Sequence, residues 1–310
     1  MAIHTLYPAE RGNLTLSFEY FPPKTDEAEA QLHRTVADLN VFQPGFVSVT
    51  YGAGGTTRER SLTAVCHMIR DAGVSNTAAH LTCVGATRDE VDRVIDDFAA
   101  CGVKHFVALR GDPPDGIGSA YRPHPGGYEN AAALTKALAS RGGFEISVSA
   151  YPEKHPESAD VNADIDMLKR KVDNGATRAL TQFFFDNDDF ERYLERVRAA
   201  GISIPIVPGI LPINNFAQVL RFAGLCGARV PEAIRARLEH LDDKAEERFH
   251  EATHIAAEQI VDLARRGVRD FHIYTMNRSP LVTAVCDLVG FARQDPSVAA
   301  IPAPARRMAV

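Results

Sequence analysis

Opposite charges follow directly after an apolar segment in the run Ala108-Leu109-Arg110-Gly111-Asp112-Pro113-Pro114. Residues 106–109 are apolar and predict a buried strand, so Arg110 and Asp112 come at its carboxyl end. Gly111 allows a tight turn and a close approach of the backbone to a ligand, and the two prolines stop the strand. The pattern is typical of a ligand site, and an Arg110–Asp112 ion pair that braces a loop is the structural alternative.

The same arrangement recurs along the chain, because other segments of strand length also end on polar side chains. Taken singly, these residues have structural explanations: His80 can be a core histidine with satisfied hydrogen bonds, and Tyr151 an aromatic plug with a solvated hydroxyl. Taken together, they are better explained by a shared ligand site. The residues are Glu19, Thr50, His80, Arg110, Asp112, Tyr151, Gln182 and Arg278.

Two of these side chains are costly to bury without partners. Gln182 precedes a run of three phenylalanines, and a buried amide needs hydrogen-bond partners. Glu19 is flanked by Phe18, Tyr20 and Phe21, and burial among aromatic side chains favours the protonated form of a carboxyl group. Glu19 therefore has the surroundings of a general acid.

Several classes of function lack the residues that they need. No two His or Cys residues show metal-ligand spacing, and the chain has neither G-x-S-x-G nor a phosphate-binding P-loop. A net charge of −6 gives no electrostatic reason to expect nucleic acid or an acidic membrane as a partner. Five cysteines without a C-x-x-C pair, and no secretion signal, predict a protein of the reducing cytoplasm.

Eight apolar segments of strand length alternate with helical patterns. This number of βα units predicts an α/β protein with the (β/α)₈ TIM barrel fold, whose active site lies at the carboxyl ends of the strands. A doubly wound open sheet is the alternative, but no G-x-G-x-x-G follows the first strand. The predicted strands are residues 14–21, 46–51, 76–83, 105–111, 145–151, 178–185, 204–211 and 270–276.

The segments between the predicted strands also contain patterns that indicate their structure. Thr87 with Glu90 predicts a capping box at a helix start. Residues 113–127 predict a long loop, of the kind that is usually either functional or disordered. Residues 214–266 predict one long helical region with a polar excursion at 239–250. No linker divides the pattern, so we expect a single domain over residues 1–310 with a disordered tail from about residue 293.

Six segments carry a specific resemblance: SFEYFPP at 17–23, VSVTYGA at 47–53, HLTC at 80–83, ALRGD at 108–112, YPE at 151–153 and TQFFFD at 181–186. In this order, from about residue 14 to 290, the chain closely resembles the methylenetetrahydrofolate reductases in their short bacterial form. The resemblance implies a TIM barrel that binds FAD at the strand ends. It also implies reduction of 5,10-methylenetetrahydrofolate to 5-methyltetrahydrofolate by NADH or NADPH through the flavin.

The resemblance also implies roles for individual residues. Glu19 matches the family's general acid, and Asp112 matches a carboxylate that contacts the folate pterin and tunes the flavin. Gln182 matches an amide that contacts folate and, in turn, nicotinamide, and Phe222 matches an aromatic residue that stacks on either substrate. Further substrate contacts are implied at Gln218 and Arg278.

For FAD, the resemblance implies a larger set of positions. Arg170 and Lys171 can offset the charge of a pyrophosphate, although a solvated helix face is the structural alternative for this pair. Ser158 and Met167 depart from the Ala and Asn of the family pattern. The implied contacts are Thr50, Tyr51, Ala53, His80, Arg110, Gly111, Asp112, Ala131, Tyr151, His155, Ser158, Asp164, Arg170 and Lys171.

Two alternatives to a flavin-dependent reductase stay open. One is a barrel that binds folate or flavin without turnover, and the other is a reductase that passes hydride directly from NAD(P)H. Glu19, Asp112 and Gln182 are all present, which argues against a decayed site. A cytoplasmic homo-oligomer with small-molecule substrates is expected, whereas the sequence does not distinguish NADH from NADPH.

Overall fold

The computed structural model of the protein describes residues 14–52, 55–113 and 121–293. In these parts of the chain, parallel strands alternate with helices and form one sheet in the order β7-β6-β5-β4-β3-β2-β1-β9-β8. The strands are β1 (Thr15–Tyr20), β2 (Phe46–Val49), β3 (Thr77–Thr82), β4 (His105–Leu109), β5 (Glu145–Ala150), β6 (Arg178–Thr181), β7 (Ile206–Val207), β8 (Gly209–Ile210) and β9 (Asp270–Tyr274).

The helices lie between the strands and cover the outside of the sheet. They are α1 (Asp26–Asn40), α2 (Gly55–Arg70), α3 (Arg88–Ala100), α4 (Ala131–Arg141), α5 (Val161–Asp173), α6 (Asn187–Ala199), α7 (Phe216–Cys226), α8 (Glu232–Leu238), α9 (Ala245–Arg265) and α10 (Ser279–Val289). The predicted capping box is confirmed, since the Thr87 side chain accepts from the Glu90 backbone and Glu90 accepts from the Thr87 backbone.

The barrel closes at Pro208, where the chain changes its pairing partner. The predicted seventh strand is two short strands: β7 pairs with β6, and β8 pairs with β9. Proline has no backbone N–H and interrupts a strand ladder, but the Pro208 carbonyl still accepts a hydrogen bond from the His272 N–H at 3.0 Å. The arrangement confirms the predicted (β/α)₈ TIM barrel.

The apolar side chains of the described residues form three clusters, one of which contains residues of α7. The largest cluster packs strand residues such as Phe18 and Phe106 against helix residues such as Leu134. A smaller cluster, with Phe46 and Val107 among its members, draws its side chains from β2, β3, β4, β6 and β7. Strand side chains alternate between the two faces of the sheet, so the smaller cluster fills the interior of the barrel below the polar strand ends.

Several local features differ from the predictions. The long helical region 214–266 is three helices, because Gly227 ends α7 in the left-handed conformation and Pro231 precedes α8. Helix α4 lacked a sequence prediction. Cys66 and Cys101 form a disulfide between α2 and the end of α3, with the Cα atoms 5.3 Å apart, so the expectation of unpaired cysteines is wrong for this pair. The predicted tail lies outside the described residues beyond position 293.

Replacing Gly209 tests how tightly the barrel closes. A Cβ atom at this position would lie 2.7 Å from the Tyr274 ring and would also collide with the Thr181 carbonyl. Overpacking of this kind costs about 1–3 kcal/mol, so we expect Gly209→Ala to lower the free energy of unfolding in urea by that amount.

Gly224→Ala is the matched control. Gly224 lies within α7, where an added Cβ meets no atom within 4 Å. Alanine stabilises a helix interior by up to about 1 kcal/mol over glycine, so this variant should be as stable as the wild type or more so. Equal stability of the Gly209 variant and the wild type would show that the closure is loose.

Candidate functional site

The Glu19 carboxyl lies inside the barrel near the carboxyl end of β1, between two histidines from other strands. Its Oε2 atom is 3.3 Å from His80 Nε2 on β3 and 3.4 Å from His272 Nε2 on β9. All three side chains are buried. Burial of a carboxyl group requires polar partners. Both imidazoles face the same oxygen atom, but only His272 is in hydrogen-bond geometry with it, since His80 Nε2 makes no hydrogen bond with the described residues.

A second ring of contacts fixes this group in place. His272 Nδ1 lies 2.8 Å from the Ser17 hydroxyl, and Ser17 pairs with His272 in the β1–β9 register. The Thr275 hydroxyl donates to the Glu19 carbonyl at 2.6 Å. Sequence reasoning missed Ser17 and His272. The signal that could have found them is the period of two, since Ser17 shares a face of β1 with Glu19, and His272 shares a face of β9 with Tyr274.

Burial controls the charge of the interior histidines. Burial lowers the pKa of His80, and the nearby Glu19 only partly opposes this effect. Deeper in the barrel, burial and then Arg178 lower the pKa of His105 to about 3, and His105 Nε2 lies 2.8 Å from the Ser147 hydroxyl. Both imidazoles are therefore neutral near pH 7, so His80 does not neutralise Glu19 as a permanent cation.

Tyr274 extends across the mouth of the barrel from β9. Its hydroxyl donates to the Thr181 carbonyl at 2.7 Å, and burial followed by the nearby Glu19 raises its pKa well above the usual value. Gln182 follows Thr181, and its Oε1 atom accepts from the Phe183 N–H at 3.0 Å. The Gln182 side chain lines a small cavity at the mouth with Tyr151 and Cys226. This arrangement leaves the Gln182 amide NH₂ as a donor toward the mouth.

Arg110 makes a two-pronged ion pair at the end of β4. Its guanidinium donates to both carboxylate oxygens of Glu157, at 2.7 and 2.8 Å, and lies 4.4 Å from the centre of the Tyr121 ring. The alternative of an Arg110–Asp112 ion pair is wrong, because the carboxylate partner of Arg110 is Glu157. Sequence reasoning missed Glu157, which lies in a loop with no pattern that points to Arg110.

Gly111 and Asp112 complete the turn after β4. Gly111 has φ +87°, a conformation that favours glycine, and a Cβ there would collide with Val84. Asp112 is exposed, and its charge acts on the Tyr151 hydroxyl and the Cys226 thiol. The Asp112 charge therefore acts on two side chains that line the small cavity at the mouth.

Several implied FAD contacts come together between β5 and α5. Asp164 accepts from the His155 N–H at 2.8 Å and from the Ser158 hydroxyl. The buried Lys171 ammonium donates to the Ser149 carbonyl at 2.8 Å, and burial lowers its pKa to about 8. The solvated-face alternative is thus wrong for Lys171, whereas Arg170 is exposed.

The remaining predicted residues are less closely grouped. Thr50 follows β2, Tyr51 packs edge-on against Phe98, and Ala131 is buried at the first position of α4. The substrate positions Gln218 and Phe222 lie on α7, and the exposed Arg278 precedes α10. Ala53 lies outside the described residues.

The donor set suits an organic anion. Arg110 and Lys171 are close enough for each charge to act on the other, and both act on His155. The cations Arg110, after β4, and Lys171, on α5, together with the His155 and Ser158 side chains of the loop after β5, fit a diphosphate group. In residues 14–52, 55–113 and 121–293, no cluster of three or more His, Cys, Asp or Glu side chains could hold a metal ion. Of the helices described, none has the length and apolar character needed to cross a bilayer.

Comparison with known proteins gives consistent results. A profile of the methylenetetrahydrofolate reductase family matches residues 5–290. The 5,10-methylenetetrahydrofolate reductases of Salmonella typhimurium and Escherichia coli are each 43% identical to the chain over 280 residues, which is 90% of the chain and 92% of each relative. The Zea mays methylenetetrahydrofolate reductase (NADH) 1 is 35% identical over 88% of the chain but only 47% of that relative.

A solved structure shows the same fold. It is an uncharacterized protein from Clostridium thermocellum that binds two copies of 5-methyl-5,6,7,8-tetrahydrofolic acid. It aligns with a TM-score of 0.60 and 13% identity, over 91% of the chain and 96% of that protein. At this identity the likeness supports the barrel fold alone.

Asn277 offers a test of how the Glu19 strand is held. Its φ is +54°, and its side chain exchanges two hydrogen bonds of 2.9 Å with the Phe21 backbone, two residues beyond Glu19. Asn277→Ala removes these bonds and also strains the left-handed backbone. We expect it to lower the free energy of unfolding by about 1–3 kcal/mol, measured by urea denaturation.

Asn277→Gly separates the two effects. Glycine loses the same two hydrogen bonds but adopts the left-handed conformation without strain. We expect this variant to be more stable than Asn277→Ala by about 1 kcal/mol. If both variants unfold like the wild type, the bridge from Asn277 to Phe21 contributes nothing to the fold.

Proposed function

The chain belongs to the methylenetetrahydrofolate reductase family, and we propose that it reduces 5,10-methylenetetrahydrofolate to 5-methyltetrahydrofolate with NADH or NADPH. The proposal is supported by relatives of that name that match nine-tenths of the chain. The observation that carries the chemistry is the buried Glu19 carboxyl between His80 and His272 at the end of β1. This reaction needs a proton donor in a site that excludes water, and Glu19 has these surroundings.

Glu19 acts as the general acid. When the five-membered ring of the folate opens to an iminium ion, one ring nitrogen leaves and must take a proton. Glu19 holds this proton at Oε2, the atom that both imidazoles face. Because burial keeps His80 neutral, Glu19 is not held as a carboxylate by a neighbouring cation at that position.

The other polar groups at the mouth bind and orient the substrate. Asp112 lies close enough to Tyr151 and Cys226 for its charge to act on both, and it accepts hydrogen bonds from the N–H groups of the pterin. Gln182 donates its free amide NH₂ to the pterin or to the nicotinamide. Phe222 provides an aromatic face from α7, and Gln218 and Arg278 contact the rest of the folate from the rim.

FAD is the proposed cofactor, and when bound it supplies the hydride that NAD(P)H provides and the folate receives. Lys171 and Arg110 hold its diphosphate, with His155 and Ser158 as hydrogen-bonding partners. The Arg110 guanidinium, which pairs with Glu157 in the structure, would offer its positive charge to the diphosphate. Tyr151 and His80 line the ring end of the site.

Cofactor content tests this assignment. We expect the purified protein to be yellow and to release FAD, not FMN, on denaturation, as measured by chromatography of the supernatant. Lys171→Met should weaken FAD binding about 10-fold or more in fluorescence titration, since a hydrogen bond to a charged group contributes about 1.5–3 kcal/mol.

Lys169→Met is the matched control for Lys171→Met. Lys169 lies on the same helix but pairs with Asp173 at the surface. Lys169→Met should leave the dissociation constant of FAD within about twofold of the wild-type value, because an exposed ion pair contributes about 0–1 kcal/mol. Release of FMN alone, or equal effects of the two lysine variants, would contradict the assignment.

Glu19→Gln tests the catalytic proposal. It keeps the volume and a hydrogen-bonding head but has no acidic proton to give. General acid catalysis contributes about 10²–10⁴-fold, so the rate at which methylenetetrahydrofolate reoxidises the reduced enzyme should fall by at least about 10²-fold. Reduction of the enzyme by NAD(P)H needs no such proton and should largely survive. Stopped-flow absorbance measures the two half-reactions separately.

Glu145→Gln makes the same chemical change at the opposite end of the barrel. Glu145 begins β5, where it pairs with Arg178. Both half-reactions should keep wild-type rates in this variant. If Glu19→Gln still reduces the folate at a near wild-type rate, Glu19 is a binding or structural carboxyl group and the acid lies elsewhere.

A further inference from the structure

Helix α7 presents three residues toward the barrel mouth. Gln218, Phe222 and Cys226 are four residues apart, so they lie on one face of the helix. Cys226 lines the cavity beside Tyr151 and Gln182, so this face of the helix points toward the mouth of the barrel. Phe222 and Cys226 also pack against the apolar cluster that contains Phe183. The position of α7 therefore decides where the Phe222 ring lies over the mouth.

The carboxyl end of α7 is attached closely to the loop after β5. Gly227 ends the helix with φ +75°, and a Cβ there would lie 3.2 Å from the Lys154 carbonyl. Two residues later, the Arg229 N–H points between both carboxylate oxygens of Glu153, at 2.9 and 3.1 Å. The loop that carries His155 and Ser158 is thus tied to the end of α7.

The Arg229 side chain makes a second attachment, to the segment after β6. Its Nη2 atom donates to Asp186 Oδ2 at 2.8 Å and to Asp189 Oδ2 at 2.9 Å. Asp186 caps α6 and closes the segment that begins with Gln182. Arg229 therefore joins the end of α7 to the loops that follow β5 and β6, and both loops carry residues of the proposed site.

Charge explains why an arginine is required here. Glu153, Asp186 and Asp189 lie close together, and burial followed by the repulsion from Asp189 raises the pKa of Glu153, although the Arg229 N–H opposes this. Burial opposes ionisation of Asp186 too, but the hydrogen bond from Arg229 lowers its pKa overall. Among the described residues, both aspartates form ion pairs with Arg229, and Asp189 also pairs with Arg192 within α6, so loss of the Arg229 guanidinium would take away the ion pair between Arg229 and Asp186.

We infer that Arg229 is a positioning residue, which sets the carboxyl end of α7 and thereby holds the Phe222 ring over the bound substrate. The inference rests on the proposed function, since it assigns Phe222 to substrate contact. Arg229 does not line the cavity beside Tyr151 and Gln182, so we assign it no contact with substrate or cofactor. Its loss would leave the core of the barrel intact, because its backbone N–H still binds Glu153 and the apolar cluster still seats α7.

A double-mutant cycle tests this inference. Arg229→Ala should raise the KM for methylenetetrahydrofolate about 3–10-fold with a smaller change in kcat, within the range of coupling between residues of one network. In a Phe222→Ala background, the same change should raise KM by less than about twofold, because Arg229 acts through the ring that is already gone. Arg229→Lys should recover part of the loss, since an ammonium group can still donate to both aspartates.

Arg192→Ala is the matched control, because Arg192 pairs with the same Asp189 but does not contact the end of α7. It should leave KM within about twofold of the wild type. Thermal unfolding and flavin content, measured for each variant, separate repositioning from misfolding. Turnover of methylenetetrahydrofolate by the wild type tests the proposed function independently.

Three results would overturn the inference. The first is a wild-type KM in Arg229→Ala, and the second is a full effect of Arg229→Ala in the Phe222→Ala background. The third is an unchanged KM in Phe222→Ala itself, which would also remove Phe222 from the substrate site. If the wild type does not turn over methylenetetrahydrofolate, the proposed reaction itself is refuted.

Discussion

Burial of the Glu19 carboxyl is the constraint on which the rest of the site depends. A carboxyl group inside a barrel is costly unless polar partners surround it, and the partners come from β3 and β9. The β9 partner is present because β1 and β9 pair directly in the sheet. The barrel itself closes at Pro208, where β7 pairs with one side of the sheet and β8 with the other.

The mouth of the barrel divides into two chemically different halves. On the side of β1, β3 and β9, two imidazoles face the Glu19 carboxyl group, and burial keeps the His80 imidazole neutral. On the side of β4 and β5, Arg110 and Lys171 bring positive charge close together. This separation suits the proposed reaction, because a cation next to Glu19 would hold it as a carboxylate, and the acid must keep its proton until the folate ring opens.

The features that could be predicted from the sequence are those in which local pattern decides structure. Apolar segments that end on polar residues gave the strands and placed Glu19 and Gln182 at the mouth, because strand direction alone fixes which end meets the ligand. The capping box at Thr87 was equally local. The partner of Arg110 was not predictable. Asp112 is the carboxylate next to it in the sequence, whereas the carboxylate that pairs with it, Glu157, lies in the loop after β5.

The same reason explains the other omissions. His272 is a buried residue within a strand, and nothing in its own segment shows that Glu19 lies beside it across 253 residues. The Cys66–Cys101 disulfide joins two helices at a sequence separation of 35, with neither cysteine in a recognisable pair. Both depend on how neighbouring βα units pack, which is a property of the closed barrel.

The two ends of α7 are held by different kinds of contact. Phe216 and Val219 are buried at its start, whereas Arg229 beyond its end relies on exposed ion pairs, worth about 0–1 kcal/mol each. The carboxyl end of α7 is thus held by contacts that cost less free energy to break than those at the buried start of the helix. The Glu19 carboxyl on β1, in contrast, is buried between His80 and His272.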